Sequence, residues 1–155
     1  RINPEEMVNA LRETIWALQY PQISIISLSD RLKDILARIT PSYPGIQIQV
    51  KEEINKEINI SPSEGIHLLR IIQESVTNAL KHAQATAIDI SITSSDELVV
   101  IIADNGRGFD TKHPVKGQGI QNMKQRSKEA GFWLQIESSG AGTILFLKKS
   151  GFYFH

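Results

Sequence analysis

Residues 73–82 read Gln-Glu-Ser-Val-Thr-Asn-Ala-Leu-Lys-His, and this stretch is the most informative in the chain. In a helix, Glu74 and Asn78 share one face because they lie four positions apart, with Lys81 and His82 on or beside the same stripe. A carboxylate, an amide oxygen, an ammonium group and an imidazole suit a hydrated Mg²⁺ and a polyphosphate. A solvated polar face with incidental charges is an equally good interpretation of this helix alone.

The opposite face of the same helix is apolar enough to pack on a sheet. It carries Leu68, Ile71, Ile72, Val76, Ala79 and Leu80. Residues 61–64, Ser-Pro-Ser-Glu, form a capping box with proline at the first helical position. We therefore predict a helix from this box to about His82.

Two predicted strands follow this helix, at 86–93 and 98–104, and the apolar run of the second is typical of a strand buried on both faces. The second strand ends in D-N-G-R-G-F at 104–109. The Asp104 carboxylate can accept a hydrogen bond from an exocyclic amine, and Gly106 and Gly108 let the backbone approach a ligand. A tight hairpin is the alternative, because the same residues favour turns.

Two further glycine motifs lie downstream. Gly117 and Gly119 precede a predicted helix that runs to about Ala130, and backbone N–H groups at a helix N-terminus can bind phosphate. G-A-G-T at 140–143 separates two predicted strands and is by default a turn. Each motif is a weak signal by itself.

The order of elements in the main part of the chain is β, α, β, β, loop, α, β, β, starting from a strand near 46–50. Strands that follow each other directly favour antiparallel pairing. We therefore predict an α+β fold, a mixed sheet with helices on one face.

The first 40 residues have a different pattern. Val8, Leu11, Ile15 and Leu18, here called the apolar stripe, repeat at the spacing of a coiled-coil helix, and a second helix is predicted at 25–39. Prolines and a glycine at 41–45 then break the chain, so we predict a helical appendage at 1–40 and a main domain at 45–150. The stripe is interpreted either as a dimer-forming face or, together with Trp16, as a face that packs on the main domain.

Composition excludes several classes of function. Seventeen basic and seventeen acidic residues cancel, so no global field attracts nucleic acid or an anionic membrane, and we expect no nucleic-acid partner. The absence of cysteine excludes disulfides and thiolate metal sites. The longest purely apolar run, 98–103, is too short to cross a bilayer. We expect a cytoplasmic location, with any inner-membrane anchor in segments upstream of a trimmed start at Arg1.

Taken in order, E-x-x-x-N-x-x-K-H, D-x-G-x-G, G-x-G and G-x-G-T resemble the four ATP-binding boxes of the GHKL ATPase superfamily. That superfamily includes sensor histidine kinases, DNA gyrase, mismatch-repair ATPases and a heat-shock chaperone. The resemblance covers about 46–148. Residues 70–74 and 119–126 are most similar to histidine kinases that work with LuxR/NarL-like response regulators, and 11–18 resembles the end of their second dimerisation helix.

The resemblance implies the Bergerat two-layer α/β sandwich, with ATP and Mg²⁺ held between helices and sheet. It implies that Asn78 ligates Mg²⁺ and that Glu74 orients metal-bound water or acts as a base. It assigns Asp104 to the adenine amine, with Thr143 supporting a water in that contact. The remaining expected site residues serve the phosphates or shape the pocket: Lys81, His82, Gly106, Gly108, Gly117 and Gly119. Lys112, His113 and Lys116 of the lid, 110–116, are better interpreted as solvated loop residues.

The implied reaction is transfer of the ATP γ-phosphoryl group to a histidine of the dimerisation domain, for relay to a response regulator, in a homodimeric full-length protein. The acceptor is expected upstream of Leu18. The four histidines present lie instead in the site helix, the lid and the C-terminus: His67, His82, His113 and His155. We therefore expect this chain to bind ATP without phosphorylating itself. The alternatives are a GHKL-type serine kinase or ATPase, which needs no helical appendage, and a non-catalytic nucleotide-binding module.

Overall fold

The computed structural model describes residues 4–110 and 119–151. Its helices are α1 (Pro4–Leu18), α2 (Ile25–Ile39), α3 (Pro62–Thr77) and α4 (Ile120–Ala130), with a 3₁₀ turn at Thr40–Ser42 and a π turn at Asn78–His82. Its strands are β1 (Ile23–Ser24), β2 (Gln47–Ile54), β3 (Asn59–Ile60), β4 (Ala87–Ser94), β5 (Leu98–Asp104), β6 (Trp133–Ser139) and β7 (Gly142–Lys149). The lid residues 111–116, Gly117 and the segment 152–155 lie outside the described residues.

The main sheet has five strands in the order β2-β4-β5-β7-β6. The β2–β4 pair is parallel and the other three pairs are antiparallel, so the predicted mixed sheet and α+β fold are confirmed. A short antiparallel pair, β1 with β3, was not predicted, because two-residue strands leave no alternation in the sequence.

The helix layer covers one face of the sheet. All six residues of the predicted apolar face of the site helix are buried, from 0% exposed at Leu68 to 7% at Leu80. Ser61 and Glu64 exchange the two hydrogen bonds of the predicted capping box, which fixes the start of α3. This packing holds the C-terminal end of α3 over the ends of β5 and β7.

The prediction that β5 is buried on both faces is wrong. Leu98, Val100 and Ile102 are buried under the helices, whereas the alternate residues are only partly buried. The reason is architectural, since a two-layer sandwich leaves the second sheet face uncovered within the described residues. Apolar residues on both faces of a strand therefore do not show that both faces are covered by other elements.

The two N-terminal helices meet different surroundings. Four residues of α2, Ile25, Leu28, Leu32 and Ile35, belong to the same hydrophobic core as α3 and the sheet. The apolar stripe of α1 is instead 49–68% exposed, so it does not pack on the rest of the described chain. For the described residues, this excludes the packing interpretation for the four stripe residues, whereas Trp16 does pack against the core.

The face of α1 opposite the stripe carries a buried carboxylate. Glu13 is 1% exposed, and its Oε1 accepts from Arg31 Nε at 2.7 Å while its Oε2 accepts from Arg38 at 3.4 Å. Arg31 also lies 5.7 Å from the ring centroid of Trp16. These contacts tie α1 to α2 by paired charges.

Candidate functional site

A change of helix type brings the polar residues of 74–82 to the end of the sheet. The α-helix stops at Thr77, and the Ala83 N–H donates to the Asn78 carbonyl at 3.0 Å, the wider spacing of a π turn. Gly106 lies directly against this turn, because a Cβ at that position would fall 2.5 Å from the Ala83 Cβ. The helix end and the loop after β5 are thus packed into one unit.

Asn78 is the most unusual polar residue of this unit. It is 7% exposed, and its buried Oδ1 has no hydrogen-bond partner among the described residues. A buried amide oxygen without a partner costs free energy, of order 1–3 kcal/mol. An incoming cation would remove that cost, and a neutral amide oxygen is a ligand that Mg²⁺ accepts. Asn78 therefore fits the predicted Mg²⁺ ligand.

Glu74 is partly buried one helical turn before Asn78 and lies against the start of α4. Gly119 has a positive φ of 68°, and a Cβ at that position would overlap the Glu74 carboxylate. Glycine at 119 is therefore required twice, by its backbone conformation and by the approach of this side chain. The contact brings the first and third sequence motifs together.

Asp104 ends β5 at the mouth of the core. Its carboxylate accepts from the Gly106 N–H at 2.7 Å, and Thr143 is its register partner on the neighbouring strand. Burial raises the pKa of Asp104, and the backbone N–H groups of Gly106 and Thr143 only partly oppose that shift. Among the described residues no lysine, arginine or histidine forms an ion pair with Asp104. Its carboxylate can therefore accept a further hydrogen bond from a ligand.

Hydroxyl groups and a glycine join the loop after β5 to the β6–β7 hairpin. Thr143 is the register partner of both Asp104 and Ser138, and the hydroxyls of Thr143 and Ser138 lie 2.7 Å apart. Ser138 Oγ also accepts from the Phe109 N–H at 2.8 Å. Gly108 has a φ of 74°, and a Cβ there would overlap the Ser139 carbonyl. The second and fourth motifs are therefore in contact.

One narrow cavity connects the two ends of the site. Its enclosed part is small, about 10 Å³, and the surrounding 340 Å³ or so of empty space includes open solvent. Asn78, Asp104 and Thr143 all line it. Its remaining lining is mostly apolar: Ser75, Ala79, Ala83, Phe109, Met123, Ile136 and Leu145. The carboxylate and the amide oxygen on this mostly apolar lining are the groups that a flat base joined to a charged group would use.

The structure does not bring every predicted residue to this cavity. Lys81 is exposed, His82 is partly buried in the π turn, and neither lines the cavity. Gly117 lies outside the described residues. Among the described residues no cluster of three or more His, Cys, Asp or Glu side chains could hold a metal ion, and no helix is long and apolar enough to cross a membrane.

Sequence reasoning missed three residues that build the site. Arg107 donates from its backbone N–H to the Ala83 carbonyl at 2.9 Å and from Nε to the His82 carbonyl at 3.2 Å, which satisfies the end of the π turn. Asn105 Oδ1 accepts from the N–H groups of Thr86 and Ala87. Ser138 is the third. Asn105 and Arg107 occupy the two unspecified positions of the D-x-G-x-G motif, and Ser138 lies in none of the motifs.

Comparison with known proteins assigns this chain to a family. The sequence model of the histidine kinase-, DNA gyrase B- and HSP90-like ATPases matches residues 63–150, more than half of the chain. Sensor protein VraS of Staphylococcus saprophyticus is 31% identical over 125 residues, which are 79% of this chain and 35% of VraS. VraS of Staphylococcus aureus is 29% identical over the same shares. The chain thus spans about a third of the length of these relatives.

Solved structures share the fold. The ATP-binding domain of PrrB from Mycobacterium tuberculosis superposes with a TM-score of 0.66 at 26% identity, covering 84% of this chain and 96% of that one. The histidine kinase domain of a blue-light-activated kinase from Erythrobacter litoralis superposes at 0.64 with 20% identity, covering 96% of this chain and 88% of its own. The second likeness supports the fold alone.

Proposed function

The chain belongs to the family of histidine kinase-, DNA gyrase B- and HSP90-like ATPases, as an ATP-binding catalytic domain of the sensor histidine kinase type, and we propose that it transfers the γ-phosphoryl group of ATP to a histidine. In this reaction the bond between the γ-phosphorus and ADP breaks while a phosphorus–nitrogen bond forms on an imidazole. Such catalysis depends mainly on positioning and charge stabilisation.

We assign the phosphate contacts to Asn78, which lines the cavity, and to Glu74, which lies one helical turn earlier and outside the lining. Asn78 Oδ1 is the Mg²⁺ ligand, since it is buried and has no hydrogen-bond partner among the described residues. Glu74, close to it on α3, orients a water or accepts the proton that the imidazole loses. Mg²⁺, when bound, neutralises negative charge on the phosphate oxygens. Lys81, His82, Gly117 and Gly119 are proposed phosphate-facing groups.

We assign the Asp104 end of the cavity to the nucleobase. The Asp104 carboxylate accepts from the exocyclic amine of adenine, and Thr143 supports the contact from the neighbouring strand. Gly106 and Gly108 let the loop after β5 approach the base. The apolar lining between the two ends suits the faces of a purine ring.

We further propose how the domain fits into its parent protein. Residues 1–40 would be the end of a dimerisation domain and a connecting helix, with 45–150 as the catalytic domain. The exposed apolar stripe supports a homodimeric parent protein, because four large apolar side chains stay in solvent on this chain. The phosphoacceptor would lie on another segment of the parent, and the product would pass to a LuxR/NarL-type response regulator on the cytoplasmic side.

The observation that carries the proposal is the single cavity lined by both Asn78 and Asp104. Its direct test is incubation of this chain with γ-labelled ATP, Mg²⁺ and a separately prepared dimerisation fragment of the parent protein. We expect an acid-labile, alkali-stable label on the fragment and none on this chain. Glu74→Gln and Asn78→Ala should abolish the labelling.

Each other outcome identifies a different function. Acid-stable phosphoserine on an added partner would identify a serine kinase, and ATP binding without any label would identify a non-catalytic module. Stoichiometric acid-labile label on this chain alone would contradict the proposed position of the acceptor. Failure to bind ATP would overturn the whole assignment.

A further inference from the structure

The hydroxyl of Thr143 can serve a nucleobase in two ways, because it can donate or accept a hydrogen bond. Ser138 bears on this choice. It lies directly across the β6–β7 pair from Thr143, with the two oxygens 2.7 Å apart, and it does not itself line the cavity. Its effect on a ligand would therefore act through Thr143.

The hydrogen bonds of Ser138 favour one direction for its proton. Its Oγ accepts from the Phe109 N–H at 2.8 Å, which uses one lone pair. Its single proton has Thr143 Oγ1 as an acceptor at 2.7 Å. When Ser138 donates there, the Thr143 hydroxyl keeps its own proton for the cavity, because a hydroxyl has one proton and two acceptor sites.

We propose that Ser138 is a positioning residue that holds the Thr143 hydroxyl as a hydrogen-bond donor and so selects the adenine edge, which presents an amine beside an acceptor nitrogen. This inference rests on the proposed nucleotide site. Asp104 and Thr143 are register partners on adjacent strands, so an acceptor and a donor stand side by side at the end of the cavity. The adenine edge has the complementary order, with the exocyclic amine facing Asp104 and N1 facing the water that Thr143 supports. A Thr143 hydroxyl that donates to this water leaves the water's own protons for N1. Guanine reverses both roles, and its carbonyl would meet the Asp104 carboxylate.

Ser138 also holds the loop that closes this end. Its bond to the Phe109 N–H ties the loop after β5 to β6, next to the point where Gly108 touches Ser139. A role confined to the fold would affect every nucleotide equally. A role through the Thr143 proton would affect only nucleotides that carry the matching acceptor.

The test compares Ser138→Ala with the wild type by calorimetric titration of ATP, 7-deaza-ATP and 1-deaza-ATP in the presence of Mg²⁺. We expect affinity for ATP and for 7-deaza-ATP to fall about 5-fold, the effect of one hydrogen bond, and affinity for 1-deaza-ATP to be unchanged. Ser138→Thr should restore wild-type affinity. Ser139→Ala is the matched control, because its exposed hydroxyl serves only the turn, accepting from the Ala141 N–H.

An equal loss for all three nucleotides, no loss for any, or a loss that disappears with 7-deaza-ATP would overturn the inference. Thermal unfolding of each variant shows whether the fold is kept. If Ser138→Ala does not fold, Ser138→Cys, which keeps the size and weakens the donor, is titrated in its place with the same expectation. Wild-type protein that binds no ATP would contradict the proposed function, whereas wild-type binding with unchanged variants would contradict this inference alone.

Discussion

Two buried or half-buried carboxylates of this chain have opposite surroundings. Glu13, between α1 and α2, is 1% exposed and both its oxygens accept from arginines. Asp104, at the end of β5, accepts from the Gly106 N–H and has no ion-pair partner among the described residues, and burial raises its pKa. The Glu13 carboxylate is neutralised by two arginines of the protein. The Asp104 carboxylate has no such partner among the described residues and is available to a ligand.

The difference separates structural from ligand-binding polar groups. A buried charge that serves the fold is paired within the fold, because an unpaired one costs several kcal/mol. Asp104 breaks that rule, and Asn78, a neutral amide, breaks the corresponding rule that a buried polar atom has a hydrogen-bond partner. Both residues line one cavity. We therefore expect Glu13 to matter for stability and not for nucleotide binding, and Asn78 and Asp104 to show the reverse.

The largest effect on stability is expected from Glu13→Ala. It leaves Arg31 and Arg38 without their shared partner and should lower the free energy of unfolding by about 3 kcal/mol. Chemical denaturation measures this, with the exposed Glu5→Ala as the control on the same helix. Loss of ATP affinity in the folded Glu13 variant would break the proposed separation of roles.

The largest effect on binding is expected from Asn78→Ala. Removing the proposed metal ligand should weaken Mg²⁺–ATP binding about 100-fold. Stability without nucleotide should change little, because Asn78 Oδ1 loses no hydrogen bond within the described residues. Titration calorimetry measures the affinity, with the exposed Asn55→Ala as the control. Unchanged affinity together with marked destabilisation would make Asn78 a structural residue.

Gly119→Ala sharpens the comparison at the contact between the motifs. The new Cβ would overlap the Glu74 carboxylate, and alanine would have to adopt the left-handed backbone conformation of this position. We therefore expect a stability loss of about 1–2 kcal/mol and weaker nucleotide binding. Gly140→Ala is the control, because its Cβ would have no neighbour within 4 Å and its φ is not positive. Equal effects of the two substitutions would contradict the close approach of Glu74.

The smallest effect is expected from Asp104→Asn on the protein without nucleotide, and it is a gain in stability. Because burial raises the pKa of Asp104 above the ordinary value of an aspartate, the folded state holds the proton more tightly than the unfolded chain. Ionisation at neutral pH therefore costs stability, and a neutral amide removes that cost. We expect a small rise in Tm at pH 7 that disappears in acid, where the carboxyl is protonated in both states, measured by calorimetry. A lower Tm at pH 7 would show that the charge is stabilising.

Much of this fold could be predicted from the sequence, because its signals are local. The capping box at Ser61, the alternation in β4 and the glycine after α4 each depend on neighbouring residues. The one-sided burial of β5 and the β1–β3 pair could not be predicted, since they depend on which layers and strands meet in three dimensions. The buried pairing of Glu13 depends on residues 18 and 25 positions away.

The candidate site divides in the same way. Its motif residues Glu74, Asn78 and Asp104 follow from spacing and from family resemblance. The π turn at Asn78–His82 does not follow from the sequence, because it depends on one backbone hydrogen bond moving to a carbonyl five residues back. The hydroxyl pair of Ser138 and Thr143 does not follow either, because the register between two strands sets it. The proposed roles of all the site residues, including Lys81, His82 and Gly117, stay predictions.

The central claim is that one nucleotide spans Asn78 and Asp104, and a single NMR titration tests it. A Mg²⁺-bound, non-hydrolysable ATP analogue is added to isotope-labelled protein while the side-chain amide of Asn78 and the backbone amides of Gly106 and Thr143 are followed. The account predicts that all three signals shift with the same Kd. Different Kd values, or a shift at only one end of the cavity, would contradict it.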